Sequence, residues 1–368
     1  MGFAGIYGGA LSGTSADAID VAFLEFDERG RIRRTVAARS FPLDGHLAQR
    51  VHDCGPDTPL ATVQALDTSL ADAFATAIDR TRVEAEVGDE VRAVGSHGQT
   101  IWHTGRETAP AASVQIADPN RIAARCRLPV VADFRRRDLA EGGEGAPLVP
   151  AFHAHCWHCP GRDQAVLNLG GIANLTLLPG EGSVRGFDAG PANTLLDYWA
   201  RKHLGNRFDE GGAWAASGRL LPALLERLEG DAYFTKRPPK STGPEHFSPE
   251  WLNGQLEGDE RPEDVQATLT ELTARTVSRS LERWYDTAPL DLWVCGGGVH
   301  NKYLMERLAR HCSKCRVANT EALGLHPDFV EAAAFAWLAW AHIAGIPGNL
   351  PAVTGARRPA ILGGLYPP

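Results

Sequence analysis

The stretch from Leu11 to Asp20, LSGTSADAID, gathers the groups that hold a phosphate. Gly13 lets the backbone turn, and successive N–H groups with the hydroxyls of Thr14 and Ser15 can cradle phosphoryl oxygens. Asp17 and Asp20 are hard oxygen ligands able to hold Mg²⁺ directly or through water. No lysine is present, so the stretch is not the Gly-Lys-Ser/Thr loop of Walker type. The same residues would also make an ordinary hairpin turn, with Asp and Ser side chains bonded to their own backbone. A second candidate is Asp188, in GFDAGPANTLLDYWA just before Gly190-Pro191. Such a carboxylate is either a general base for a hydroxyl or a water, or merely a dipole partner at the start of a helix that Asn193 would cap.

Other polar clusters offer less defined chemistry. GSHGQTIWH (95–103) sets Ser96, His97, Gln99 and Thr100 on a loop after an apolar run. The Ser-His pair suggests acyl transfer, yet adjacent side chains rarely face each other and no G-x-S-x-G elbow is present. Recognition of a sugar suits these residues better. Arg135, Arg136 and Arg137 form a run that is solvated in most proteins, although one arginine facing a cleft could pair bidentately with a carboxylate. Cys156/Cys159 and Cys312/Cys315 are two C-x-x-C pairs, with His153, His155, His158 and His311 nearby. Together they could hold structural zinc, but they lie far apart in the chain, unlike compact zinc modules, so free thiols are expected.

The elements that carry these groups follow from hydrophobic pattern. GIYGGALSGTSADAIDVAFLEF reads as strand, loop, strand, and the turn at DERG leads to a third strand. A Walker loop opens into a helix, whereas this one joins two strands of a hairpin. The arrangement recurs in AVLNLGGIANLTLLP, where Gly170-Gly171 turn between apolar runs flanked by Asn168 and Asn174. A third glycine cluster, Gly296-Gly297-Gly298, follows a strand and precedes an amphipathic helix whose apolar face carries Leu304, Met305 and Leu308. Helical stretches lie at LATVQALDTSLADAFATAIDRTRVEAEV and ATLTELTARTVSRSLERWY, and KRPPKSTGPEHFSP reads as an ordered surface loop. AAAFAWLAWAHIAG is too short for a membrane span and reads as a buried helix. A two-lobed α/β protein results, with a related loop in each lobe and a nucleotide expected in the cleft between lobes.

Composition agrees. The 368 residues are ample for two lobes, and 43% hydrophobic with 22% charged residues is ordinary for a globular chain. A net charge of −8 without a basic tract argues against nucleic acid or anionic membrane as partner. The N-terminus lacks the pattern of a secretory signal, and seven scattered cysteines suit a reducing cytoplasm.

Two hairpin phosphate loops followed by strand–Gly-Gly-Gly–helix is the order of the actin, sugar-kinase and heat-shock ATPase superfamily. Within it, SGTSADAID, GSHGQTIWH, QIADPNRIA, VVADFRRRDLAEGGEGAPLVPAFH, LNLGGIANLT, GFDAGPANTLLD, GAWAASG, PPKSTG, CGGGVHNKYLM and PDFVEAAAFAWLA resemble the anhydro-N-acetylmuramic acid kinases, from residue 5 to the closing TGARRPAILG. The resemblance implies a two-lobed actin/hexokinase-like fold. Its lobes would be residues 1–135, completed by part of 330–368, and residues 136–329. It implies a cytoplasmic, homodimeric enzyme of peptidoglycan recycling that uses ATP and Mg²⁺, opens 1,6-anhydro-N-acetylmuramic acid with water and phosphorylates O6.

By that resemblance Asp188 is the base. ATP would be bound along Gly13, Thr14, Ser15, Ala16, Asp17, Ala18, Ile19 and Asp20, by Gly170, Gly171 and Asn174, and by Gly296, Gly297, Gly298 and Asn301. Asp17 and Asp20 would organise Mg²⁺. Ser96, His97, Gln99, Arg135 and Glu331 would contact the sugar and its lactyl group. Three positions depart from the family pattern: Ala18 stands where the first loop has a second glycine, Pro244 follows KSTG in place of Arg, and Gly211 replaces an acidic or amide residue. Ala18 is therefore expected at negative φ, because alanine in the left-handed region costs about 1 kcal/mol. A nucleotide-dependent binding protein that has lost catalysis, and a hydrolase built on Ser96/His97, are the rival readings.

Overall fold

The computed structural model describes residues 2–104, 111–285 and 290–368, with only the backbone at Asp89. The chain divides into two compact units, Met1–Trp157 with Phe329–Pro368, and His158–Asp328.

In the first unit β1 (Gly5–Ser12), β2 (Ala18–Phe26) and β3 (Ile32–Pro42) form an antiparallel meander. β4 (Val91–Thr104) runs parallel to β1, β5 (Ala112–Ile116) pairs antiparallel with the far end of β4, and β6 (Val130–Ala132) lies parallel to β4. The order β3-β2-β1-β4-β6 is extended by the C-terminal strand Gly364–Tyr366. β1 is buried along almost its whole length, as befits a central strand covered on both faces. On one face lies the helix Leu60–Glu84, whose Leu66, Leu70, Phe74 and Ile78 recur every four residues and are fully buried.

The other face carries the helix Val330–Ala344, apolar around most of its circumference and buried accordingly. Its backbone reaches the sheet because two central strands carry glycine at the crossing. A Cβ on Gly9 would stand 1.9 Å from the Ala332 carbonyl oxygen, and one on Gly95 would stand 2.0 Å from that of Phe335. Those two glycines set how close the first turn of this helix, with Glu331, comes to the strand ends.

Residues 136–157 belong to the first unit, so the boundary falls at 157/158 rather than the expected 135/136. The helix Val149–Trp157 is held there by Phe152 and His155, whose rings lie 6.3 and 5.1 Å from that of Trp337. GSHGQTIWH is also strand rather than loop: it is the distal half of β4, paired with β1 on one side and β5 on the other.

The second unit repeats the topology. β7 (Gln164–Leu169), β8 (Ile172–Leu178) and β9 (Arg185–Pro191) form an antiparallel meander, and β10 (Leu290–Cys295) and β11 (Cys315–Asn319) add in parallel, giving β9-β8-β7-β10-β11. Its long helix Pro262–Trp284 buries many polar residues, and several threonines among them are satisfied within the helix, whereas Gln266 Oε1 has no partner among the described residues. Thr268, Thr270 and Thr273 donate to carbonyls four residues back at 2.7, 2.9 and 3.2 Å. Thr273 also donates to the Pro191 carbonyl at 3.1 Å, fastening the helix to the end of β9. The helix after Asp188, Asn193–Leu204, has Ala192 at its cap position and no side-chain cap. Asn193 instead donates its amide to the Leu169 carbonyl at 2.9 Å, so the expected cap is a brace to β7.

Candidate active site

The turn between β1 and β2 is closed by Ala16 N–H donating to the Gly13 carbonyl at 3.0 Å. Ala16 takes the left-handed conformation at φ 48°, while Ala18 opens β2 outside the positive-φ set. The alanine that replaces glycine at 18 thus carries no left-handed strain; the turn places that cost, on the order of 1 kcal/mol, at 16. Ser15 Oγ donates to Asp17 Oδ1 at 2.6 Å, and Gln99 Nε2 donates to the Gly13 carbonyl at 3.2 Å. Thr14 and Ser15 are exposed, and a Cβ on Gly13 would meet nothing within 4 Å. Here a ligand can approach the backbone. Ile19 is buried in the core, which leaves its side chain no part in such contact.

Beside this turn the end of β1 and the middle of β4 lie in parallel register, Ala10 with Ser96 and Ser12 with Gln99. Ser12 Oγ, Ser96 Oγ and Gln99 Oε1 are buried without a hydrogen-bond partner among the described residues. Orphaned buried polar atoms gathered where β1 ends beside β4 are suited to ligand hydroxyls or amides. Ser12 was not anticipated; only its position one residue before the glycine loop could have signalled it.

Arg135 Nε donates to His97 Nε2 at 3.0 Å, and His97 Nδ1 faces the Gly98 carbonyl at 3.1 Å. The ring is therefore neutral with its proton on Nδ1. Burial and the Arg135 guanidinium hold the imidazole down to about 3. Burial lowers Arg135 to about 10, opposed by Glu331. Glu331 reaches solvent yet is hemmed in by protein, and its carboxyl is raised by burial and by Asp20, with Arg135 opposing. Four of the expected residues, Asp20, His97, Arg135 and Glu331, thus form one electrostatic group.

Mg²⁺ usually takes one or two protein carboxylates and fills its shell with waters and substrate phosphates. Asp17 and Asp20, both half-buried beside the open turn, fit that donor set. Among the described residues no three His, Cys, Asp or Glu side chains gather as a fuller cage.

In the second unit the Gly170 carbonyl accepts from Asn193 N–H at 3.1 Å, and the Gly171 carbonyl from Ala192 and Thr194 N–H at 3.0 and 3.1 Å. The turn is thereby pinned to the helix start, while a Cβ on Gly170 would find its nearest neighbour only at 3.7 Å. Gly296 has φ 81°, and a Cβ there would lie 2.2 Å from Asn168 Oδ1. A Cβ on Gly298 would lie 2.6 Å from that of Leu169, whereas Gly297 is open. Two of the three glycines seat the turn on β7 and the middle one faces outward. Asn301 caps the helix Lys302–His311, accepting from Leu304 N–H at 2.9 Å.

Asp188 lies on β9 rather than at a helix mouth. Asn174 Nδ2 donates to its Oδ1, Thr242 N–H donates to its Oδ2 at 2.9 Å, and Tyr233 Oη donates to its carbonyl at 2.8 Å. Asp188 N–H donates to the Lys240 carbonyl at 3.1 Å. Burial pushes the carboxyl up to about 6, against the pull of Thr242, Asn174 and Lys240. Lys240 is itself lowered to about 8 by burial, its ammonium 4.4 Å from the Tyr233 ring centroid. Tyr233, Lys240 and Thr242 were missed as partners of Asp188; PPKSTG marked the segment, but nothing local showed what it touches. Gly211, one of the departures, has φ 63°, which glycine adopts without strain.

The cysteines are all free thiols. Their histidine neighbours have separate partners: His155 the Arg29 carbonyl at 2.6 Å, His158 that of Pro179 at 2.8 Å, and His311 Glu271 at 2.7 Å.

The family model of anhydro-N-acetylmuramic acid kinase matches residues 5–368. The anhydro-N-acetylmuramic acid kinase of Chromohalobacter salexigens is 46% identical, over 98% of this chain and 99% of its own. That of Xanthomonas campestris pv. campestris is 47% identical, over 98% and 97%. Among solved structures, the activator of the 2-hydroxyisocaproyl-CoA dehydratase from Clostridium difficile with bound ADPNP aligns over 92% of this chain and 96% of its own, at 13% identity and a TM-score of 0.45. The duplicated sheet topology is that of the actin/hexokinase-like ATPases. With its sequence matched over residues 5–368, the chain belongs to the anhydro-N-acetylmuramic acid kinase family.

Proposed function

We propose that Asp188 is the general base of the reaction and that the two hairpin turns, with the Gly296–Gly298 turn, hold the nucleotide. The chain is an ATP-dependent kinase of peptidoglycan recycling: it opens the 1,6-anhydro ring of 1,6-anhydro-N-acetylmuramic acid with water and phosphorylates O6, giving N-acetylmuramic acid 6-phosphate and ADP. Asp188 takes a proton from the water as it attacks the anomeric carbon. The bridging bond from C1 to O6 breaks with its electron pair going to O6. That oxygen then attacks the γ-phosphorus, and the bond to ADP breaks. One carboxylate serves both ring opening and transfer.

The observation that carries this reading is the Asp188 carboxylate itself, held by a donor on each oxygen and raised to about 6. Such a group is ionised at neutral pH while remaining basic enough to accept a proton. The open backbone at Gly13 and Gly170 supports phosphate contact there, together with the exposed hydroxyls of Thr14 and Ser15. Asp17 and Asp20 would hold Mg²⁺, which when bound neutralises charge on the phosphoryl oxygens. Ser96, His97, Gln99, Arg135 and Glu331 meet the sugar, Arg135 pairing with the lactyl carboxylate. Asn301 serves the nucleotide through the helix it caps. The enzyme acts as a homodimer in the cytoplasm without nucleic-acid or membrane partners. Its net charge of −8 speaks against nucleic acid or an anionic membrane surface as partner, and among the described residues no helix is long and apolar enough to cross a membrane.

The test is to incubate the enzyme with Mg-ATP and the anhydro sugar and follow ADP and sugar phosphate together. Equal release of both is expected, and Asp188→Asn should lose roughly 10²- to 10⁴-fold in kcat. An Asp188→Asn enzyme that keeps most of its kcat would remove the base from this scheme.

A further inference from the structure

We propose that Asn174 is a positioning residue for Asp188 rather than a phosphate ligand, fixing the carboxylate plane together with the main-chain N–H of Thr242. The inference rests on Asp188 being the base. Asn174 and Asp188 are direct cross-strand partners on β8 and β9, just past an irregularity in the pairing between Ala173 and Asn174. Opposed residues of an antiparallel pair share a face of the sheet, so the Asn174 amide meets the carboxylate as a consequence of register. Rotation of a carboxylate about its last torsion is soft, and one donor leaves it free to swing. Here each oxygen accepts one donor, Oδ1 from Asn174 and Oδ2 from Thr242. Each oxygen keeps lone-pair capacity for an incoming proton.

The Thr242 donor is no accident of a loose loop. Its segment is fastened to the same strand by Asp188 N–H on the Lys240 carbonyl, and Tyr233 Oη binds the Asp188 carbonyl. The charges facing the carboxylate are Lys240, which favours its ionised form, and Glu245, which opposes it; Lys236 and Arg283 face Lys240 in turn. Against burial, the two donors and Lys240 keep the base ionisable near neutrality.

The experiment measures pH profiles of kcat and kcat/KM, with KM for ATP, for the full-length Asn174→Ala and Asn174→Asp enzymes beside Asp188→Asn. Asn174→Ala should lower kcat by about 10- to 100-fold, move the acid limb up by about one pH unit, and leave KM for ATP within about twofold. Asn174→Asp is isosteric and sets two carboxylates together, so its acid limb should move further up. A raised KM for ATP with kcat and acid limb unchanged would make Asn174 a phosphate ligand and overturn the proposal. Unchanged kcat and acid limb in both variants would overturn it as well. Should Asn174→Ala not fold by circular dichroism, the limb of Asn174→Asp decides alone. Activity retained in Asp188→Asn would instead strike the base assignment, a separate outcome from an unmoved limb in the Asn174 variants.

Discussion

Arg135 gives its Nε proton to Nε2 of His97 across 3.0 Å, and that ring spends its own proton on the Gly98 carbonyl. The neutral imidazole is thus an acceptor that orients a cation. His97 is further fixed by Phe335, whose ring centroid lies 4.6 Å away on the helix that also carries Glu331.

An arginine aimed in this way should not be replaceable by lysine, whose single ammonium lacks both the Nε donor and the planar fork. Arg135→Lys is expected to raise KM for the anhydro sugar by about 10-fold or more while KM for ATP changes little. Steady-state kinetics with each substrate varied in turn decide this; equal change in both KM values would contradict it.

The same ring predicts a pH dependence of stability. His97 is held at about 3 when folded, against an ordinary value of 6.5. Between those values the unfolded chain binds the extra proton, so stability falls as pH drops below about 6.5. A His97→Gln enzyme should lose stability less steeply between pH 6.5 and 5, by about 1.4 kcal/mol per pH unit, in urea unfolding series. His153, also held at about 3 by burial, keeps some slope in the variant. Parallel slopes in the two proteins would refute the assignment.

Asp188, whose carboxyl is shifted up rather than down, makes a kinetic prediction on the same acid side. Its carboxyl is raised to about 6, and only the ionised form can take a proton from water. The kcat/KM of the wild-type enzyme should therefore fall on the acid side with a midpoint near 6, tenfold for each pH unit below it. A limb at the ordinary aspartate value would mean that the free enzyme does not depend on this group.

Two glycines of the first unit should separate packing from ligand contact. Gly9→Ala drives a methyl into the Ala332 carbonyl and should destabilise by about 1–3 kcal/mol. Gly13→Ala meets nothing within 4 Å, and its φ lies outside the positive set. It should leave unfolding within about 0.5 kcal/mol of wild type while raising KM for ATP. Urea midpoints and ATP kinetics for both variants test the contrast.

Much of this molecule could be read locally. The hairpins around Gly13–Asp17 and Gly170–Gly171, the strand-to-helix turn at Gly296–Gly298 and the buried helix at 330–344 follow from periodicity and turn residues, which report on backbone a few residues at a time. The readings that changed all depended on distant neighbours. The polar letters of GSHGQT suggested a loop, yet β1 and β5 pair with them on both sides and make them strand. Asn193 looked like a cap and braces Leu169 instead.

Types and order of chemical groups were therefore determined by the sequence itself: two lysine-free glycine hairpins, a glycine triplet, and an aspartate ahead of Gly190-Pro191. Which groups meet was decided only by tertiary structure. Asn174 reaches Asp188 because β8 and β9 pair in one register, and Thr242 reaches it because a segment 54 residues further along the chain folds back. Glu331 joins Asp20 and Arg135 because Gly9 and Gly95 admit a helix backbone onto the sheet. Side-chain periodicity encodes the face on which a residue lies, whereas its partner is set by register and by how closely elements pack, and those are properties of the assembled fold.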